Sequence, residues 1–102
     1  MRNLIVLVLA AFAAVSASAA EMVAKNGDDV IRLQDRPCVH AGTLAQIKPE
    51  WREHFRMARA LLDGHDWFAC WLVTPQGTIA IVFEDGDTTD LPMGVFKLDP
   101  GA

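Results

Sequence analysis

A chain of 102 residues with 9 Lys/Arg against 13 Asp/Glu is short and acidic, and 52% of it is hydrophobic. That length suits one folded domain. A net negative charge argues against nucleic acid or an anionic membrane surface as partner, because both require a basic face.

The first twenty residues have the pattern of a signal peptide and not of a fold. Met1-Arg2-Asn3 is a short positive start, and Leu4 to Val15 is uninterrupted apolar sequence. Ser16-Ala17-Ser18-Ala19-Ala20 then supplies small residues at the spacing a signal peptidase requires, with cleavage after Ala19 or Ala20. The apolar run falls short of the ~20 residues a bilayer-spanning helix needs. The expectation is therefore a periplasmic or secreted protein: a signal peptide over 1–20 and a single small α+β domain over 21–102. Without the signal, eight basic residues face thirteen acidic ones, a net charge near −5.

Glu21 to Asp29 is polar, with Asn26-Gly27-Asp28 as a turn signal, and is expected to be a loose N-terminus. Val30 to Gln34 alternates at Ile31 and Leu33 and is expected to form a short strand. Asp35-Arg36-Pro37 stops it, because Pro cannot donate to a ladder. Cys38 follows directly. Cys38 and Cys70 are the only cysteines, and in an exported chain the simplest pairing is one structural disulfide. A closed loop of this size is worth about 3–4 kcal/mol in the chain-entropy model. For so small a core that is a large share of total stability.

Ala41 to Ile47 suggests a short helical turn. The main helix is expected over 49–63. Pro49 stands where a helix starts most easily, and Glu50 follows in the first turn. Trp51, Phe55, Ala58 and Leu62 recur at the spacing of one helix face. Arg52, Arg56 and Arg59 fill the opposite side, and Gly64 is placed as the C-terminal cap.

Trp67 to Leu91 is the most strand-like stretch. Trp67–Thr74 ends at Pro75-Gln76-Gly77, and Thr78–Glu84 ends at Asp85-Gly86, a dipeptide that favours hairpin turns. Asp87 to Leu91 supplies a third strand, giving an antiparallel meander. Pro92-Met93-Gly94 breaks the chain, and Val95 to Leu98 is a last short strand or turn. The expected fold class is α+β: one main helix packed on a small curved antiparallel sheet of three to five strands, with one disulfide.

Four groups of residues are candidate sites. Trp67 and Trp71 share one face of their strand, while Phe68, Cys70 and Leu72 share the other. With one helix to cover two apolar faces, either the sheet curls or an apolar patch is left for a partner. Glu84, Asp85, Asp87 and Asp90 form an acidic corner, which serves either as a solvated turn or as a docking surface for a cation or a basic partner. His40, His54 and His65 lie apart and would need the fold to gather them. Arg52, Arg56 and Arg59 form a basic face, suited to solvation or to an acidic protein or anionic glycan. No nucleophile elbow, metal-binding spacing or phosphate-cradling loop is present, so no cofactor, no metal and no enzymatic activity are expected.

Pro37-Cys38, Ala69-Cys70-Trp71, Glu84-Asp85-Gly86-Asp87 and Leu91-Pro92 to Phe96-Lys97 together resemble small uncharacterised exported bacterial proteins, some of them prophage-associated. The resemblance carries no activity with it. The closing hairpin-Pro-Phe pattern also resembles SH3-like small barrels, which implies a binding module by analogy of fold alone. The functional expectation is an exported, non-enzymatic module that binds another envelope or secreted protein, with no nucleic-acid partner and no membrane association once the signal is removed. The alternatives are a ligand or ion binder using the acidic hairpin, or a small enzyme without a recognisable motif.

Overall fold

The computed structural model describes residues 21–99. The expected signal segment lies outside them. Seven antiparallel strands form one sheet: β1 (Glu21–Asn26), β2 (Asp29–Pro37), β3 (Arg56–Leu62), β4 (His65–Val73), β5 (Thr78–Phe83), β6 (Thr88–Pro92) and β7 (Lys97–Asp99). Their order is β6-β5-β4-β3-β2-β1-β7, so all but the last follow as a continuous meander. The sheet curls into a half-barrel. Leu91 and Val95 line one cavity with Ala24, Ile31 and Leu62, so the link from β6 to β7 passes over the open side of the curl. Phe96, at the end of that link, is buried in the concave core.

The α+β expectation is overturned. Among the described residues no helix reaches seven residues, and they are mostly antiparallel sheet. Of the expected helix over 49–63, Pro49–His54 is a 3-10 turn and Arg56–Leu62 is strand β3. Met57, Ala58, Arg59, Ala60 and Leu61 are good or fair helix formers, but intrinsic propensity is a weak prior that tertiary context overrides. Here β3 is a central strand that must bury apolar groups on both sides. Ala58 and Ala60 face the concave core, and Met57 faces the convex one. Small residues at the inside of a tight curl leave room for the large side chains of neighbouring strands. The four residues expected on one helix face separate: Trp51 is exposed, Phe55 joins the convex cluster, and Ala58 and Leu62 join the concave one.

The turns carry the meander. β3 and β4 pair up to Leu62 opposite His65, leaving Asp63 and Gly64 as a two-residue turn. Both have positive φ, 51° and 77°, as a type I′ hairpin demands. Gly64 is thus a hairpin residue and not a helix cap. At Asp85-Gly86 only Gly86 has positive φ, and Phe83 and Gly86 close a wider turn through Phe83 N–H to Asp87 O (2.8 Å) and Gly86 N–H to Phe83 O (2.9 Å). The Thr74–Thr78 turn repeats that pattern, with Thr74 N–H to Thr78 O and Gly77 N–H to Thr74 O, both at 2.9 Å. The segment expected to be loose is strand β1, joined to β2 through Gly27 and Asp28 and paired on its other edge with β7. The strand, the turn near Ala41 and the meander expected after Trp67 are all present, with a helical turn α1 at Ala41–Leu44.

Two apolar clusters lie on the two faces of the sheet. The concave one joins Leu33, Ala58, Ala60, Ala69, Ile79, Ile81, Phe83 and Phe96, with Trp67 and Trp71 packed against it. The convex one joins Met57 and Cys70 to Cys38, Ile47 and Phe55 of the segment between β2 and β3. The Cys38–Cys70 disulfide is formed, with Cα atoms 5.7 Å apart, and pins that segment to the centre of β4. The two-faced strand is therefore covered on both sides: the sheet curls over one, and a short irregular segment covers the other.

Candidate functional site

A cleft of about 560 Å³ opens at the end of the half-barrel where β3 begins and β4 ends. It is lined by Trp51, His54, Arg56, Trp71, Leu72, Val73, Thr74 and Pro75. Each wall follows from local structure. Pro49 starts the 3-10 turn that carries Trp51 and His54, and Arg52 braces that turn by donating from Nε to Ile47 O at 2.8 Å. Trp51 stays 52% exposed, and its ring meets the His54 ring edge-on at 6.4 Å.

Trp71 forms the opposite wall. The ladder between β2 and β3 is irregular between Leu33 and Pro37, and there Gln34 O accepts the Trp71 indole N–H at 3.0 Å. That bond satisfies the polar end of a half-buried ring and fixes its orientation. Arg56 stands directly opposite Trp71 in the β3–β4 ladder and donates to Asp35 Oδ1 at 2.7 Å. Val73 is exposed beyond it. No carboxylate lines this cleft: Arg56 and His54 are its only ionisable side chains.

The other candidate residues are scattered. Arg59 does not join Arg52 and Arg56 on a face. It lies over the Phe68 ring, with Cζ 4.5 Å from the centroid, and bonds Asp66 at 3.0 Å. Among the three histidines, His40 stacks on Phe68, His54 meets Trp51, and His65 lies against Trp67. Each thus serves a different aromatic. Trp67 packs into the concave core and meets Phe83 in a T-shaped contact.

The acidic corner is partly structural. Glu84 Oε1 accepts the Phe68 N–H at 2.7 Å, and Asp85 Oδ1 accepts the Asp87 N–H at 2.9 Å. Asp90 lies opposite Ala80 on β6. Asp85 and Asp87 do line a cavity of about 330 Å³ with Asp63, His65 and Trp67. Among the described residues, no three His, Cys, Asp or Glu side chains converge as metal ligands.

Trp71 and Arg56, expected in two separate groups on a strand and a helix, meet in this cleft, and they are joined there by Trp51, which was expected on a buried helix face. Its signal was available in composition: a Trp between Pro49 and a run of charged residues has few apolar neighbours in sequence to bury it. Compared with known proteins, the chain matches no family model, no curated protein and no solved structure.

Proposed function

We propose that this protein is an exported, non-enzymatic binding module that contacts another envelope or secreted protein through the Trp51–Trp71 cleft. The observation that carries the reading is Trp51, a large aromatic left 52% exposed beside a second tryptophan whose orientation is fixed. Trp is enriched where binding energy concentrates, because it brings large contact area at low entropic cost. A small disulfide-pinned scaffold suits this role, since a rigid surface loses little freedom on association.

The test is retention of co-purifying proteins from the envelope fraction, using the mature chain with a C-terminal tag. The wild type is expected to retain a partner in moderate salt. Trp51→Ala is expected to lose it while melting within a few degrees of the wild type. Retention of the same partner by Trp51→Ala would remove the cleft from the proposal. The acidic hairpin is the weaker alternative, because two of its carboxylates already accept backbone N–H groups.

A further inference from the structure

The ladder between β3 and β4 ends at the cleft. Its last pair is Arg56 opposite Trp71, and the chain before Arg56 turns away into the 3-10 segment. β4 itself continues to Val73, which still pairs with Ile79 of β5 on its other side. Backbone groups along a strand alternate between its two neighbours. Phe68 O accepts from Glu84 and Thr74 N–H donates to Thr78, so the even-numbered residues of β4 address the β5 side. Val73, odd-numbered like Trp71, directs its amide and carbonyl to the side where β3 has ended. An open length of strand edge thus lies inside a cleft walled by two tryptophans.

Resting on the reading that this cleft is the contact site, we infer that its occupant is an extended, acidic peptide segment of the partner protein. One residue of the segment pairs its backbone with Val73, in the place β3 would have taken. Its side chain shares a face with Trp71 and Arg56, while the adjacent side chain turns to Leu72 and Trp51, following the alternation of a strand. The sign of the charge follows from the lining. Arg56 and His54 are the ionisable side chains that line the cleft, and their carboxylate neighbours, Asp35 at 2.7 Å from Arg56 and Glu53 at 3.7 Å from His54, lie outside its lining. Asp35 takes one Arg56 donor, and a guanidinium has five. An Asp or Glu next to an aliphatic residue fits these walls.

The probe is a random-peptide display library selected on the mature, disulfide-bonded protein, followed by synthesis of the enriched peptides. Enriched sequences are expected to combine Asp or Glu with Val, Ile or Pro, and to perturb the Val73 and Thr74 amide resonances. Methylating the one backbone nitrogen that pairs with Val73 is expected to weaken binding about tenfold, as is Arg56→Gln. Basic peptides, no enriched peptides at all, or a flat response along the N-methyl series would each overturn the inference. Envelope retention separates this failure from that of the parent reading. If Trp51→Ala loses the partner while the N-methyl series is flat, the cleft stands and the extended peptide falls. If Trp51→Ala keeps the partner, the cleft itself is wrong.

Discussion

Asp63 and Gly64 decide the topology of the centre of the sheet. Their positive φ values let β3 return on itself as β4 with no intervening loop, and Asp29 Oδ1 accepts the Asp63 N–H at 2.9 Å, tying this hairpin to the start of β2. A Cβ at Gly64 would meet nothing within 4 Å, so a substitution there acts through backbone strain alone. Gly64→Ala is expected to destabilise the protein by about 1–2 kcal/mol, the cost of placing an L-residue in the left-handed region. Chemical denaturation checks this, with Gly94→Ala as the control, since Gly94 has open space around it and no positive φ. Equal losses at both positions would mean that Gly64 is not in a strained turn. The same dipeptide shows what the sequence concealed. Asp-Gly is a hairpin signal when alternating residues flank it and a helix terminator when a helical period precedes it. Trp51, Phe55, Ala58 and Leu62 happened to supply that period. At Asp85-Gly86 the flanking runs were plainly strand-like, and the hairpin there was legible.

At the scale of elements, the ambiguity lies in β3. Met57-Ala58-Arg59-Ala60-Leu61-Leu62 satisfies both periods, because a central strand with two apolar faces lacks clean alternation. Only the neighbours decide, and no local rule brings Leu33 and Ala69 to flank Ala58 on both sides. The packing of that residue gives the sharper test. Ala58 is fully buried on the concave face. Ala58→Leu is expected to cost about 1–3 kcal/mol through overpacking, read as a lower denaturant midpoint with an unchanged slope. On a helix laid against a sheet, the added methylenes would find room at the edge and stability would hold or rise. The candidate site was half legible for the same reason. Trp71 and Arg56 could be named as residues, but their meeting depends on a register that no helix over 49–63 would allow.

For the molecule as a whole, the disulfide links the two halves of its stability. The concave cluster is held by the sheet itself, strand beside strand. The convex cluster depends on the 38–55 segment, which lies outside the strand ladders and is closed by bonds of its own: Cys38 N–H to Phe55 O at 3.0 Å, and a His40 side chain that caps α1 by accepting the Thr43 N–H. Cys38–Cys70 fastens this segment where it crosses β4. Removing the bond by a Cys38→Ala/Cys70→Ala pair is expected to lower stability by about 3–4 kcal/mol. The loss should be uneven, because a segment outside the strand ladders opens at lower free energy than the sheet it covers. Amide hydrogen exchange on the double variant is expected to lose protection first at Leu44 to Phe55, while the Thr78–Phe83 strand keeps most of its own. Since Trp51 and His54 ride on that segment, the cleft should loosen with it, and peptide or partner affinity should fall further than the melting temperature alone implies. Uniform loss of protection across both regions would instead mean that the cover and the sheet unfold as one unit, and that the cleft is as rigid as the core beneath it.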